Sequence, residues 1–504
     1  MTDQNTQHPL AMLDSTRAFI SAPRRMLIDG EWRESETGET IDVINPADAS
    51  VLCRVPGASE RDVDLAVRAA RRAFDDSAWS RMKPTDRERL LLRAADAIEA
   101  HAREFAELEA LDNGKSAAVA EALDVSMAAQ CFRYMAGWAT KIEGSTVDAS
   151  IPYSPSNAYF GYTRKEAVGV VGAIIPWNFP LLMAAWKLAP ALAAGCTVVL
   201  KPAEDTPLSA LRLGELLQET GFPAGVVNII TGYGRTAGAA LAKHPGLDKI
   251  AFTGSTPTGK AIGHAALDNM TRMSLELGGK SPVIVLPDVD IERAAEGVAN
   301  AIFFNSGQVC TAGSRVYVHE KVFDRVMERV AAIADSMKLG PGLDPSTQIG
   351  PLVSARQLDR VLGYIDAGHA EGARAIAGGA RGDGTGFFVK PTVLVDTDHS
   401  MRVVREEIFG PVLVAMRFSD TDAVVKQAND TPYGLGASIW SNDLAQVHKL
   451  IPRIKAGTVW VNCHSLLDNA VPFGGFKQSG FGRELGRAAL DMYTETKSVL
   501  INHA

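Results

Sequence analysis

A thiol and a carboxylate, each set at a turn, are the residues of this chain best suited to do chemistry. Cys310 closes Asn305-Ser306-Gly307-Gln308-Val309-Cys310, and upstream Glu276 precedes a double glycine in Leu275-Glu276-Leu277-Gly278-Gly279-Lys280. A thiolate is a soft nucleophile suited to a carbonyl carbon, and the thioester it forms needs a separate base to activate water. Nucleophile and base is one reading of this pair. The other is burial, because free cysteine usually behaves as a small hydrophobe. Cys53, Cys131, Cys196 and Cys463 take the core reading. The five cysteines form no CxxC pair and no His-spaced metal cluster, and their odd number argues against a disulfide framework. Reduced thiols suit a cytoplasmic location.

The elements that must position these residues alternate between helix and strand. Ser59 to Asp62 reads as a capped helix start ahead of Val63, Ala66, Val67, Ala70 and Phe74, and Thr85 to Glu88 repeats the pattern, with Gly114 as the stop. Val168–Ile175, Thr197–Leu200, Val226–Ile230, Lys249–Phe252 and Pro282–Leu286 read as strands. The alternation predicts an α/β fold with a parallel sheet built from βαβ units. Ala167 to Trp186 carries no charge, but Pro176-Trp177-Asn178-Phe179-Pro180 in its middle would break a spanning helix, so it reads as buried strand, turn and buried helix.

At 504 residues the chain exceeds one hydrophobic core, so two or three domains are expected. Its 46% hydrophobic and 22% charged fractions are those of a soluble globular protein. A net charge of -8 with no basic run argues against nucleic acid as a partner. The N-terminus, Met1 to Asp29, lacks the apolar stretch and cleavage site of a signal peptide.

Two strand-to-helix junctions suit a dinucleotide. Phe252-Thr253-Gly254-Ser255-Thr256-Pro257-Thr258-Gly259 opens a helix with Thr256 as N-cap and Pro257 at N1, which offers free amides to phosphate. Lys201-Pro202-Ala203-Glu204 ends a strand with side chains that can hydrogen-bond ribose hydroxyls. Neither is a GxGxxG fingerprint, and Gly232-Tyr233-Gly234-Arg235 matches it only loosely. Together with Glu276–Lys280, Gly307–Cys310, Glu406-Glu407-Ile408-Phe409-Gly410-Pro411 and Pro472-Phe473-Gly474-Gly475-Phe476-Lys477-Gln478-Ser479-Gly480, these motifs and Pro176–Pro180 stand in an order and spacing that resemble the NAD(P)-dependent aldehyde dehydrogenase family, from about Ile28 to the C-terminus.

That resemblance implies roles. Cys310 would attack the aldehyde carbon to give a thiohemiacetal, with Asn178 and the Cys310 backbone N–H donating to the oxyanion. Glu276 would activate water to hydrolyse the thioester, and Lys187 with Glu484 would either relay its proton or form no more than an exposed salt bridge. NAD is the implied cofactor, with NADP less favoured because Glu204 repels its extra phosphate. Lys201 and Glu204 would hold the adenine ribose, Gly234 the adenine and Ser255 the pyrophosphate. Gln357 and Glu407 would bind the nicotinamide ribose beside Phe409, and Ile175, Pro176, Trp177, Asn178, Gly254, Leu277 and Gly278 complete the implied cofactor contacts. No metal is implied.

The implied aldehyde tunnel comprises Phe179, Met183, Trp186, Phe304, Val309, Thr311, Leu467 and Phe473, a lining suited to an apolar or aromatic aldehyde. Within the family, Trp460 to Asp468 resembles the phenylacetaldehyde dehydrogenases. A betaine-type aldehyde would call for a cage around a quaternary ammonium, for which Asp468 is the obvious acid. Medium-chain aliphatic aldehydes stay open as substrates, as does a non-catalytic binding or structural role for this fold. By resemblance the architecture is a Rossmann-type NAD domain (1–149 and 167–275), an α/β catalytic domain (276–476) and a β-hairpin oligomerisation arm (150–166 and 485–504). The hairpin is placed at Ser150–Glu166, alternating Ile151 and Tyr153 with Tyr159 and Tyr162, and joined by Ser498–Ile501. A homo-oligomer, dimer or tetramer, is implied, with Glu495 paired to Arg272 or Arg483.

Overall fold

The computed structural model describes residues 12–154 and 158–503. Two sheets carry the fold; four of the five expected strands lie in the first, whereas Pro282–Val285 belongs to the second. In the first, the order is Gly480–Phe481, Arg272–Glu276, Lys249–Thr253, Val170–Ile174, Thr197–Lys201, Val227–Ile229, Met26–Ile28, Glu31–Arg33. The four pairings from Arg272–Glu276 to Val227–Ile229 are parallel, and antiparallel strands close both edges. Val170–Ile174 and Thr197–Lys201 are buried at every position, which explains their unbroken apolar sequences: helices cover both faces of a parallel sheet.

The second sheet runs Arg374–Ala377, Thr392–Val395, Val412–Phe418, Arg315–His319, Pro282–Val285, Gly436–Trp440, Thr458–Val461, parallel except for the first pair. The uncharged segment resolves into the strand Val170–Ile174 and the wholly buried helix Pro180–Ala194, which Gly195 ends in the left-handed conformation (φ 97°). Among the described residues no helix is long and apolar enough to cross a membrane.

Local differences from the sequence reading have simple causes. The Ser59 capping box with Asp62 is present, but the next helix starts at Pro84 behind Lys83, one residue ahead of Thr85, because proline at N1 fixes the helical φ. The stretch to Gly114 is two helices, Pro84–Ala100 and Ala102–Asp112, broken at His101. Ser255, not Thr256, caps Thr256–Leu267 by accepting from the Thr258 N–H, which puts Pro257 at the second helical position. The smaller sheet pairs Thr494–Asn502 with Tyr159–Ala167, and Tyr159–Ala167 with Thr146–Asp148. Its outer strand thus precedes the segment expected to form it. Ile151–Ser154 is a turn, closed by Ser154 N–H to Ile151 O at 3.0 Å, and Pro152 there has no N–H for a ladder. Residues 155–157, inside the expected hairpin, lie outside the described residues. Glu495 pairs with Arg272, whereas Arg483 donates to the Gly475 and Gly482 carbonyls.

Candidate active site

Cys310 follows the helix Ile291–Phe303 through a turn in which Asn305, Ser306 and Gly307 are all left-handed (φ 49°, 55° and 71°). The strain is held from several sides. Ser306 Oγ donates to Gly350 O at 2.8 Å, Gln308 Oε1 accepts from the Val353 N–H at 3.0 Å, and a Cβ on Gly307 would collide with the Gly410 carbonyl. Residues held in sparsely populated backbone regions cluster at functional sites. Here they lead into a half-buried thiol. Burial first, then Glu407 and Glu276, push the Cys310 thiol up to about 12, while the N–H groups of Thr311 and Cys310 act in the opposite direction.

Asn178 reaches the same loop. Its Nδ2 donates to Gln308 O at 2.9 Å, and its own carbonyl accepts from Asn305 Nδ2 at 3.1 Å. Glu276 ends the strand Arg272–Glu276, where its backbone carbonyl accepts the Gly254 N–H at 3.0 Å. Its side chain is buried, and neither carboxylate oxygen has a hydrogen-bond partner among the described residues. Burial, then the Glu484 charge, raise its pKa well above the usual range against the opposing pull of Lys187 and Arg483. Behind it Lys187 pairs with Glu484 and donates to Thr253 Oγ1 at 2.6 Å. This pair is wholly interior, which excludes the exposed salt bridge.

The double glycine after Glu276 lets these segments meet. A Cβ on Gly278 would collide with the Glu407 carboxylate, and one on Gly279 with the Cys310 carbonyl. The Gly279 N–H donates to Glu407 Oε1 at 3.0 Å, and burial pushes Glu407 up to about 7. Leu277 packs where a Cβ on Gly259 would stand, and its N–H donates to Ser479 O at 2.9 Å. Gln357 donates to Phe409 O at 2.7 Å, and Phe409 (φ 64°) meets Trp177 edge-on at 5.2 Å.

Further along the first sheet, the Ile175 N–H donates to Lys201 O at 3.1 Å, after which Pro176 starts the turn. Lys201 Nζ stands 3.8 Å from Glu204 and donates to Pro202 O. Ser255 offers the N-terminus of a 12-residue helix, and Gly234 opens a turn where a Cβ would meet nothing within 4 Å. Carboxyl ends of parallel strands, a helix N-terminus and a carboxylate near a lysine are the groups a dinucleotide needs.

The apolar residues named for the tunnel belong to one cluster: Phe179, Met183, Trp186, Val309 and Phe473 are buried in it, and Phe304 and Leu467 pack against it. Phe179 stacks on Phe304 (6.2 Å, 22°) and Trp186 meets Phe473 at 5.4 Å and 60°. Thr311 flanks the thiol and bonds Ser465 Oγ at 3.3 Å. A backbone bridge between Phe473 and Glu484 ties the apolar wall to the ion pair behind Glu276. Among the described residues no cluster is arranged to hold a metal.

Sequence reasoning missed three contributors. His464 is half-buried, pushed down to about 4 by its desolvation, and bridges Ser438 Oγ and Thr311 O next to Cys310 in the chain. Lys280 lies buried with no hydrogen-bond partner for its ammonium among the described residues and is lowered to about 7 by burial. Asn113 donates to Trp177 O at 2.7 Å, so the loop before Gly114 holds the Asn178 turn from behind. The signals were present, since His464 and Lys280 stand inside motifs already singled out, but nothing local distinguishes them from filler.

This geometry has close counterparts. The chain matches the sequence profile of the aldehyde dehydrogenase family over residues 32–499. It is 52% identical to the phenylacetaldehyde dehydrogenase of Pseudomonas fluorescens over 484 residues, 96% of each chain. It is 47% identical to the human mitochondrial aldehyde dehydrogenase, over 95% of this chain and 92% of that one. The NAD+ complex of an aldehyde dehydrogenase from Bacillus cereus superimposes with a TM-score of 0.96 at 48% identity, over 99% of this chain and 100% of that one. The chain belongs to the aldehyde dehydrogenase family.

Proposed function

We propose that the protein oxidises phenylacetaldehyde, or a similar aromatic or apolar aldehyde, to the carboxylic acid with NAD. The observation that carries the chemistry is Glu276, a buried carboxylate with no hydrogen-bond partner among the described residues, whose charge acts on a thiol in a loop that also meets an amide donor. The thiol must lose its proton to attack. The N–H groups of Thr311 and Cys310 favour the thiolate, and its proton leaves to solvent past the half-buried sulfur before the aldehyde binds. The thiolate adds to the aldehyde carbon, and the resulting oxyanion takes the Asn178 amide and the Cys310 N–H. Bound NAD supplies the acceptor for the hydride that leaves this carbon, and the adduct becomes a thioester on Cys310. Glu276 then takes a proton from water as its oxygen attacks the thioester, the acid leaves, and the thiolate is restored. Lys187, Glu484 and Thr253 stand behind Glu276 to carry its proton away.

The residues present fit the cofactor. Ser255 and the helix it caps would face the pyrophosphate, Lys201 and Glu204 the adenine ribose, and Glu407 with Gln357 the nicotinamide ribose. Solved relatives were determined with NAD+. A carboxylate at Glu204 disfavours a phosphate on that ribose. Glu204→Gln is therefore expected to raise the NADP:NAD ratio of kcat/KM by about tenfold or more, the scale of one like-charge repulsion near a protein surface. An unchanged ratio removes Glu204 from selectivity.

For the substrate, the support is the pairs of aromatic rings among the expected tunnel residues, Phe179 on Phe304 and Trp186 against Phe473, and the 52% identical phenylacetaldehyde dehydrogenase. Asp468, the acid a betaine cage would need, is exposed and accepts from the N–H of Ala470 in its own turn at 2.7 Å. The test compares NADH formation from phenylacetaldehyde, betaine aldehyde and hexanal. Preference for phenylacetaldehyde is expected; preference for betaine aldehyde overturns the substrate reading, and no NADH from any of the three overturns the enzymatic one.

The small sheet is proposed as the oligomerisation arm of a dimer or tetramer. It leaves Val147, Phe160, Leu500 and Ile501 exposed, and three strands this thin need a second packing surface. Deleting residues 495–504 should lower the particle mass by light scattering; an unchanged mass counts against the arm.

A further inference from the structure

Behind the Asn178 turn lies a buried ion cluster that the chemistry above does not use. Lys115 Nζ pairs with Asp124 and stands 3.3 Å from Glu109, and all three side chains are almost wholly enclosed. Such a cluster is costly to bury, so what it touches matters. Glu109 Oε1 accepts the Leu181 N–H at 2.7 Å, supplying from another helix the cap that Pro180–Ala194 lacks from its own N-cap residue. Asn113, in the same loop, holds Trp177 O. The Lys115 ammonium lies over the Phe179 ring, 4.2 Å from its centre, and that ring stacks on Phe304.

We infer that Lys115 is a positioning residue: clamped by Glu109 and Asp124, it holds the Phe179 ring in place as a wall of the aldehyde site and so favours flat aryl aldehydes over flexible alkyl ones. This rests on the proposed tunnel, in which Phe179 faces the substrate. A desolvated cation over an aromatic face is among the stronger ring contacts, and it restrains a side chain whose two torsions are otherwise fixed only by packing. Glu109 is tied to the backbone of the Phe179 turn, so ammonium and ring are referenced to the same frame. A freed ring would still bury the same area but would adapt to an alkyl chain as readily as to a ring.

The experiment measures kcat/KM for phenylacetaldehyde and for hexanal in the full-length protein and in Lys115→Met, Phe179→Leu and the double variant. Lys115→Met is expected to lower the phenylacetaldehyde:hexanal ratio by about tenfold, mainly through KM for phenylacetaldehyde, with KM for NAD unchanged. In the Phe179→Leu background the same change should move the ratio by less than about twofold. Should Lys115→Met not fold with two carboxylates left behind, Lys115→Met with Glu109→Gln and Asp124→Asn removes the charges together and reads the same ratio. A ratio that ignores Lys115, or shifts equally with and without Phe179, overturns the inference, as does Phe179→Leu leaving the ratio untouched. These outcomes concern the response of the ratio, whichever aldehyde the unmodified enzyme prefers, so they are separate from failure of the substrate reading.

Discussion

Glu276→Gln is expected to form NADH once per active site and then stall. Attack by Cys310 and the loss of hydride need the carbonyl carbon, the thiolate and the oxyanion donors; release of the thioester needs a base for water. In the proposed mechanism that base is Glu276, whose two oxygens have no hydrogen-bond partner among the described residues. Removing a positioned general base costs about 10² to 10⁴ in rate. Rapid mixing with phenylacetaldehyde and NAD should show a burst equal to the concentration of sites, followed by a steady rate lower by that factor. The pH profile carries the same signature. Burial and Glu484 hold the Glu276 carboxyl above its usual range, and only the deprotonated form takes a proton from water. Steady-state kcat should therefore rise with pH through that elevated value, and the limb should vanish in Glu276→Gln. A variant that turns over within about tenfold of the parent, with no burst, would assign deacylation to another group.

Placements that depend on a short local context were readable from the sequence. Cys310 and Glu276 stand at a glycine-bearing turn and a strand end, and the expected strands at Thr197–Leu200 and Lys249–Phe252 form within one residue of their expected ends. The Ser255/Thr256 cap was ambiguous for a physical reason: both are hydroxyl residues, and proline is accepted at either of the first two helical positions. The cluster of Glu109, Lys115 and Asp124 was illegible for another. Charged residues in a helix ordinarily face water, but Ala102–Asp112 is buried on every face described, with Glu104, Glu107, Glu109 and Asp112 inside. Their partners are remote: Asn113 meets Trp177, and Glu109 caps the helix that begins at Pro180. No window of sequence contains both ends of such contacts. His464 was hidden similarly, because its partners, Ser438 and Thr311, are remote from it in sequence.

Asn178→Ala separates catalysis from folding more sharply than any other change at the site. The amide donates to Gln308 O, but Asn305 Nδ2 also reaches that carbonyl at 3.4 Å, so removing the Asn178 side chain leaves the acceptor with a partner. The Asn178 backbone carbonyl keeps its bond from Asn305 at 3.1 Å. The turn is further held by Asn113 at Trp177 and by Glu109 at Leu181, neither of which involves the Asn178 side chain. Stability should therefore change little, and thermal unfolding should shift by only a few degrees. The rate should not be spared. An oxyanion formed on the aldehyde oxygen would draw the Asn178 amide away from Gln308, and losing one such donor costs about 10² to 10³ in kcat, or about 2.7 to 4 kcal/mol. Asn178→Asp, the same size but negatively charged, should be slower still, since its carboxylate repels the charge the amide would stabilise. The check is kcat for phenylacetaldehyde beside a melting curve on the same preparations. A kcat within about tenfold of the parent in Asn178→Ala, or an aspartate variant faster than the alanine one, would leave stabilisation of the oxyanion to the Cys310 N–H alone.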